Sequence, residues 1–199
     1  MNHWDMKFNT NEYVYGKEPN EFLKEMHKNH PFSGEVLAIA EGEGRNAVFL
    51  AEEGLDVTAW DSSKEGIKKL KNLADERNVH VNTEMVDLNQ ADWTKNKWDE
   101  IVCIYGHFDS ELRHKVLENV KESIKPGGYY VSEVFSIYQI PYESGGPKIE
   151  DMLYDPQEVL EVFKDWKMIH FFMGEVERSE GNFHSGTAHV IQIIAQKPV

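Results

Sequence analysis

One stretch of sequence decides the fold: Val36-Leu37-Ala38-Ile39-Ala40-Glu41-Gly42-Glu43-Gly44-Arg45-Asn46-Ala47. Its apolar half predicts a strand at Glu35–Ala40, and the residues after the glycines predict a helix at Arg45–Glu53. The spacing Gly42-x-Gly44-x-x-Ala47 fits a nucleotide-binding loop, in which the glycines let the backbone approach a ligand and the small residue lets the helix pack on the strand. The stretch therefore predicts a ligand site at the carboxyl end of this strand.

Two carboxylates in the glycine turn, Glu41 and Glu43, indicate the charge of that ligand. A pyrophosphate resting on the loop would meet two negative charges, so NAD is disfavoured there. S-Adenosylmethionine carries an ammonium and a sulfonium and no phosphate. The acidic loop therefore favours S-adenosylmethionine, with S-adenosylhomocysteine as the product of its use.

The composition indicates one globular domain. The chain has 199 residues, of which 40% are hydrophobic, and a formal net charge of -14. We expect a single domain over residues 1–199, with residues 1–33 as a helical cap over the cofactor site. The charge would repel a phosphate backbone, which argues against a nucleic-acid partner. Because the N-terminus lacks signal-peptide regions and no apolar run approaches the roughly 20 residues of a membrane span, we expect a cytoplasmic protein without membrane contact.

Apolar runs alternate with amphipathic stretches along the chain, which is typical of a mostly parallel sheet covered by helices on both faces. A short loop, Glu175–Ser185, between the last two strands predicts a closing antiparallel hairpin. Residues 137–151 are too irregular to assign, and whether they form a lid stays open. The predicted strands are Glu35–Ala40, Asp56–Trp60, Val79–Val86, Trp98–Ile104, Tyr129–Phe135, Lys167–Met173 and Thr187–Gln196; the predicted helices are Arg45–Glu53, Lys64–Arg77, Ser110–Ile124 and Pro156–Phe163, with another starting at Pro19 or Asn20.

Two strings of sequence carry a family resemblance: Tyr15-Gly16 with Glu18-Pro19-Asn20, and the run Ala40–Ala51 around the glycine loop. With them, the chain resembles the class I S-adenosylmethionine-dependent methyltransferases, in the bacterial branch close to tellurite and thiopurine methyltransferases. The resemblance implies a Rossmann-like three-layer α/β/α sandwich with a seven-stranded, mostly parallel sheet closed by an antiparallel C-terminal hairpin. It also implies a small-molecule methyl acceptor, a thiol or a chalcogen oxyanion. Neither the acceptor nor the oligomeric state can be derived from individual residues.

The chain departs from this family at Ala38, where many members carry an acidic residue that contacts the methionine amine. Glu41, three residues later, is our candidate replacement because it lies beside the turn.

Asp61 ends the second strand twenty residues after Glu41, the distance at which a nucleotide fold places a carboxylate on the ribose hydroxyls. The alternative role for Asp61 is an N-cap of the next helix. Asp87, between Val86 and Leu88, is implied by the resemblance as the adenine contact, and its alternative is a turn residue. The candidate cofactor-binding residues are Tyr15, Gly16, Pro19, Asn20, Glu41, Gly42, Gly44, Arg45, Asn46, Asp61, Ser62, Val86, Asp87, Leu88, Tyr105 and Gly106.

The fourth strand runs into Tyr105-Gly106-His107-Phe108, which should lie near the transferred methyl group. His107 is the candidate general base, and the alternative is a helix cap or a backbone contact. Phe108, Phe135 and His184 are candidate substrate contacts. We expect no metal site, because no helical His-x-x-x-His pair occurs and Cys103 is a single, apolar-flanked cysteine.

Methyl transfer from a sulfonium is an in-line displacement, so the protein must mainly align the reactants. A thiolate or chalcogen oxyanion would need no base, whereas an alcohol or amine would need His107. Two other functions remain open from sequence: a non-catalytic S-adenosylmethionine-binding sensor or docking protein, and an NAD-dependent oxidoreductase.

Overall fold

The computed structural model describes residues 3–30, 33–181 and 184–199. These residues form one seven-stranded sheet of order β3-β2-β1-β4-β5-β7-β6. The first five strands run parallel, β7 is antiparallel to β5, and β6 is antiparallel to β7. The strands are β1 Glu35–Ile39, β2 Asp56–Asp61, β3 Asn82–Met85, β4 Trp98–Ile104, β5 Ile124–Phe135, β6 Lys167–Glu180 and β7 His184–Gln196. The predicted mostly parallel sheet with a C-terminal antiparallel hairpin is confirmed.

Helices cover both faces of this sheet. They are α1 His3–Phe8, α2 Glu21–Asn29, α3 Arg45–Glu52, α4 Lys64–Arg77, α5 Ser110–Ser123 and α6 Pro156–Val162. In β1, Val36 and Ala38 join the core beneath α2, α3 and α4, whereas Leu37 and Ile39 join the core beneath α5 and α6. All four side chains are fully buried, as expected for the centre of a parallel sheet. The arrangement is the predicted three-layer sandwich.

The C-terminal hairpin is longer than predicted. Its pairing continues past Gly174 opposite Val190 to Glu180 opposite His184, so the Glu175–Ser185 loop is wrong for most of its length. Arg178 and Glu180 of this stretch are buried and ion-paired, which allows the strand to continue. The hairpin thereby reaches the edge of the sheet where the glycine loop lies.

Other boundaries differ locally. β3 is confined to Asn82–Met85, because it is an exposed edge strand with a partner on one side only. β5 starts at Ile124, directly after α5, since Ile124 pairs with Trp98. Helix α1 is an element that the sequence analysis did not predict. Within residues 137–151, Gln139 is buried and its Oε1 accepts a hydrogen bond from the His189 amide at 2.6 Å, which fixes this segment to β7.

No helix among the described residues is long and apolar enough to cross a membrane.

Candidate functional site

The glycine loop links β1 to α3 through backbone conformations that few side chains tolerate. Ala40, Gly42 and Gly44 have φ values of 52°, 61° and 94°, in the left-handed region that glycine adopts most easily. Gly44 is the N-cap of α3, and a Cβ built on it would lie 2.3 Å from Leu70 Cγ of α4. Gly44 therefore has a packing role between two helices, and its contact with the cofactor stays a prediction.

Glu41 holds the start of α3. Its Oε1 accepts hydrogen bonds from the amides of Asn46 at 3.0 Å and Ala47 at 2.8 Å. Only 9% of the residue is exposed, and this burial raises the pKa of the carboxyl group to about 7. The helix amides and the Arg45 guanidinium act in the opposite direction and favour the ionised form. Glu41 also lines the cleft described below, so a cation placed there would meet this carboxylate.

The second carboxylate of the loop, Glu43, is neutralised within the protein. Its Oε1 lies 2.6 Å from Lys69 Nζ, and its Oε2 accepts a hydrogen bond from the Tyr15 amide at 3.3 Å. Lys69 also donates to the carbonyl of Glu12 at 2.6 Å, which ties the N-terminal segment to α4. A cationic ligand on the glycine loop would therefore pair with Glu41 and not with Glu43.

Asp61 closes the loop from the end of β2. Its Oδ2 accepts from the Gly42 amide at 2.7 Å and its Oδ1 accepts from the Ser63 amide at 2.7 Å. Burial raises its pKa. The alternative role as an N-cap is wrong, because the cap of α4 is Ser63, whose hydroxyl accepts from the Gly66 amide at 3.0 Å.

A cleft opens at the carboxyl ends of β1, β2 and β4, with α1 on one side and the hairpin on the other. Most of the predicted site residues border it. The lining residues are Trp4, Phe8, Tyr15, Gly16, Ala40, Glu41, Gly42, Glu43, Arg45, Asn46, Asp61, Ser62, Val86, Asp87, Leu88, Ile104, Tyr105, His107, Phe108, Leu112 and His184. Asp87 lines the cleft, and its Oδ1 accepts from the Asn89 amide at 2.9 Å, as expected of the alternative turn role. Its contact with adenine stays a prediction.

Five predicted residues do not line the cleft that the described residues form: Pro19, Asn20, Gly44, Gly106 and Phe135. Asn20 is instead the N-cap of α2, and its Nδ2 donates to Glu133 and Glu180. At Gly106, a Cβ would lie 2.6 Å from Cys103 Sγ, so close packing requires glycine there. Phe135 lies behind the cleft wall, where its ring stacks on the Tyr105 ring with the two centroids 4.6 Å apart.

Helix α1 covers the cleft from the N-terminal side. Asp5 Oδ1 accepts from the Ser63 hydroxyl at 2.8 Å, which anchors α1 to the start of α4. A Cβ on Gly42 would lie 3.1 Å from the Phe8 ring, so this aromatic packs directly on the glycine loop. Across the cleft, the Trp4 and His107 rings meet edge-on, with their centroids 5.7 Å apart.

Comparison with known proteins gives the family. The sequence matches the family described as "Tellurite resistance protein TehB" over residues 5–188. This chain belongs to the TehB family. A curated relative from Haemophilus influenzae, the "Probable S-adenosyl-L-methionine-dependent methyltransferase TehB", is 28% identical over 152 residues, 74% of this chain and 51% of the relative. The chain therefore spans about half the length of the curated relatives that it matches.

Two solved structures share the fold of this TehB family member. The crystal structure of TehB from Haemophilus influenzae superposes with a TM-score of 0.72 and 23% identity, covering 98% of this chain and 66% of that one. A structure described under "Conversion of a Disulfide Bond into a Thioacetal Group during Echinomycin Biosynthesis" gives a TM-score of 0.76 at 15% identity, covering 94% of this chain and 85% of that one. At these identities the likeness concerns the fold.

Behind the cleft, this TehB family member buries a network of four charged groups. Arg45 Nη2 lies 2.6 Å from Glu180 Oε2, and Arg178 makes an ion pair with Glu133. Tyr105 donates its hydroxyl hydrogen to Glu133 at 2.6 Å while holding a φ of 53°, a conformation that is costly for a bulky residue. The network thus fixes Tyr105 at the cleft, and it also pairs Arg45, one of the predicted cofactor contacts, with Glu180.

Two histidines of the cleft are held neutral. Burial, together with the charge of Lys7, lowers the pKa of His107 to about 4. Burial also lowers the pKa of His184 to about 2. At neutral pH, His107 is therefore unprotonated but a weak base. Among residues 3–30, 33–181 and 184–199, no group of three or more His, Cys, Asp or Glu side chains could hold a metal ion.

Several residues of the site are not predictable from the sequence. Trp4 and Phe8 come from a short helix with no apolar periodicity, and Ile104 and Leu112 are ordinary core-type residues. The partners Lys69, Glu133, Arg178 and Glu180 are distant from the glycine loop in sequence. Of these partners only Glu133 gives a signal, because a lone charged residue within the apolar run of a strand implies a buried ion pair.

Proposed function

We propose that this chain is an S-adenosylmethionine-dependent methyltransferase that methylates a small, soft nucleophile, a thiol or a chalcogen oxyanion. The observation that carries the proposal is the cleft itself, where three carboxylates at the carboxyl ends of three neighbouring strands border one cavity: Glu41, Asp61 and Asp87. Ligands of open parallel sheets bind at this edge. Membership of the TehB family and the name of the curated relatives support the same activity.

The residues present fit this cofactor. The two carboxylate oxygens of Asp61 have four lone pairs, and the backbone amides of Gly42, Ser62 and Ser63 act on them, which leaves capacity to accept from a ribose hydroxyl. Glu41 supplies a carboxylate for the methionine ammonium, in place of the strand residue that is Ala38 here. Asp87 would accept from the adenine amino group, with Val86 and Leu88 on either side of the ring.

The remaining predicted contacts belong to the same proposal. Tyr15, Gly16, Ser62, Asn46 and Tyr105 border the cleft and would enclose the cofactor. Helix α1 would cover it as part of the cap predicted for residues 1–33, and would exclude water from the reacting atoms. The single domain over residues 1–199 remains a prediction.

The acceptor class follows from the chemistry of the histidines. When bound, the cofactor supplies a methyl group on a sulfonium whose sulfur leaves as a neutral thioether. The acceptor lone pair forms the new bond to the methyl carbon while the carbon–sulfonium bond breaks and its electron pair stays on sulfur. A thiolate or chalcogen oxyanion needs no proton removed, whereas an alcohol or amine needs a stronger base than His107. The site therefore favours acceptors that are already anionic.

The net charge of -14 supports a small-molecule acceptor over a nucleic acid. We propose that the activity of this protein involves neither a nucleic acid nor a membrane.

Transfer of a labelled methyl group tests the proposed function. The wild-type protein is incubated with methyl-labelled S-adenosylmethionine and either tellurite or thiophenol, and label in the methylated product is counted. We expect transfer by the wild type, loss of transfer in Asp61→Asn, and retention in Asp56→Asn, which changes an exposed aspartate at the far end of the same strand. Binding of S-adenosylhomocysteine without transfer to any acceptor would contradict catalysis and favour the non-catalytic sensor.

A further inference from the structure

Tyr105 holds an unfavourable backbone conformation at the wall of the cleft. It directly follows β4, it lines the cleft, and its φ is 53°. A bulky residue occupies this left-handed region only where the surrounding structure imposes it, and such residues cluster at functional sites. The conformation of Tyr105 must therefore be held by its neighbours.

Glu133 of β5 holds Tyr105 at both ends. The carbonyl oxygen of Glu133 accepts a hydrogen bond from the Tyr105 amide at 2.8 Å, and Glu133 Oε1 accepts one from the Tyr105 hydroxyl at 2.6 Å. Burial, together with the charge of Glu133, raises the pKa of Tyr105 well above its usual value, so the hydroxyl keeps the hydrogen that it donates. The backbone and the tip of the Tyr105 side chain are thus both tied to one residue.

The Glu133 carboxylate is itself held by three other side chains. It is fully buried, and its Oε1 also accepts from Asn20 Nδ2 at 2.8 Å and from Arg178 Nε at 3.1 Å. Its Oε2 accepts from Gln192 Nε2 at 2.6 Å and from Arg178. These donors come from the N-cap of α2, from β6 and from β7. Because a buried polar network with satisfied hydrogen bonds is rigid, Glu133 gives Tyr105 a fixed point of attachment.

The Tyr105 ring borders one particular part of the cleft. It stacks on the Phe135 ring, and it meets the His184 ring edge-on with the two centroids 4.4 Å apart. In the sheet, β1 separates β4 from β2 and β3, the strands that Asp61 and Asp87 end or follow. Tyr105 therefore lies away from the proposed adenosine contacts, on the side where the methyl group and the acceptor would meet.

We infer that Glu133 is a positioning residue for methyl transfer, which holds Tyr105 in the wall that aligns the acceptor with the methyl group. The inference rests on the proposed function of the cleft. Glu133 is not among the residues that line the cleft in the described part of the chain, so it acts through Tyr105.

This role separates the rate of transfer from the affinity for the cofactor. In-line transfer needs the nucleophile, the methyl carbon and the sulfur on one line, and a misplacement of about 1 Å can cost about 100-fold in rate. Cofactor affinity is shared among Glu41, Asp61 and Asp87, which Glu133 does not hold. Loosening Tyr105 should therefore lower kcat and leave cofactor affinity nearly unchanged.

The first test removes the Tyr105 hydroxyl. Tyr105→Phe keeps the ring but loses its hydrogen bond to Glu133, and Tyr130→Phe is the matched control, a buried tyrosine of β5 that does not line the cleft. We measure kcat with methyl-labelled S-adenosylmethionine and either tellurite or thiophenol, according to which one the wild type methylates, and affinity for S-adenosylhomocysteine by calorimetry. We expect Tyr105→Phe to lower kcat by about tenfold or more while affinity stays within about threefold, and Tyr130→Phe to match the wild type in both.

A double-mutant cycle tests whether Glu133 acts through Tyr105. If it does, Tyr105→Phe combined with Glu133→Gln should be no slower than the slower single variant. Losses that multiply, an unchanged kcat in Tyr105→Phe, or an affinity for S-adenosylhomocysteine that falls as far as kcat would each overturn the inference. If Glu133→Gln does not fold, as judged by circular dichroism, the comparison of Tyr105→Phe with Tyr130→Phe decides. Absence of transfer by the wild type would instead refute the proposed function, and the inference with it.

Discussion

Cofactor affinity should depend on pH through Glu41. The carboxylate must be ionised to pair with the ammonium of the cofactor, but burial raises its pKa to about 7 in the free protein. A group with this pKa is about three quarters ionised at pH 7.5 and about one tenth ionised at pH 6. Because a raised carboxyl pKa favours the protonated form as pH falls, affinity for S-adenosylhomocysteine should fall by about eightfold between these two pH values.

Isothermal titration calorimetry measures this dependence directly. S-Adenosylhomocysteine is titrated into the protein at pH 6, 6.5, 7 and 7.5, each in two buffers of different ionisation enthalpy, so that protons released on binding are counted. Near pH 7 binding should release about half a proton, since roughly half of the Glu41 population must lose one. His107 and His184, with pKa values of about 4 and about 2, stay neutral throughout this range.

The variant Glu41→Gln isolates the contribution of this residue. Its amide oxygen can still accept from the Asn46 and Ala47 amides, so the loop should keep its shape. We expect affinity about tenfold weaker than the wild type at pH 7.5 and nearly constant down to pH 6. A wild-type affinity that is flat across this range, or a Glu41→Gln profile that keeps the wild-type slope, would refute the role of Glu41.

Three further predictions concern packing, stability and catalysis. Gly44→Ala should lower the free energy of unfolding, measured in urea, by about 1–3 kcal/mol more than Gly54→Ala does. Both glycines have a positive φ, but only at Gly44 would the added Cβ collide with Leu70. Equal losses in the two variants would contradict the packing role of Gly44. Glu100 is buried without a hydrogen-bond partner among the described residues, and its pKa rises from 4.5 to about 8. The free energy of unfolding should therefore fall as pH rises from 4.5 to 8. Glu100→Gln should be more stable than the wild type by about 3 kcal/mol at pH 7 and equal to it at pH 4. A stability difference that does not change with pH would show that ionisation of Glu100 is not its cause. His107→Asn should keep kcat within about threefold for an anionic acceptor, since a weak base contributes little, and a loss of a hundredfold or more in a steady-state assay would restore the base hypothesis.

The sequence predicted those features that depend on neighbours along the chain. The strand, glycine turn and helix at Val36–Ala47 follow from hydrophobic patterning and backbone conformation, and both act over a few residues. The positions of Asp61 and Asp87 follow from the same regularity, because each ends or follows a predicted strand. Together these features identify the edge of the sheet at which the cleft opens.

Pairings between distant parts of the chain were not predictable in this way. Lys69 neutralises Glu43 from the next helix, and Arg178 and Glu180 enter the core because Glu133 and Arg45 receive them. A charged run with such partners is indistinguishable from an exposed loop when it is read alone, so the full length of the hairpin cannot be predicted from it. Helix α1 was missed for a related reason: its six residues are held by tertiary contacts and carry no periodic signal.

Parallel titration of the wild-type protein with S-adenosylhomocysteine and with NAD tests the central claim most directly, since it asks which ligand the acidic glycine loop accepts. The cleft chemistry predicts saturable binding of S-adenosylhomocysteine at one site per chain, with no heat of binding from NAD and no displacement by it. Saturable binding of NAD, with none of S-adenosylhomocysteine, would contradict the assignment of this cleft.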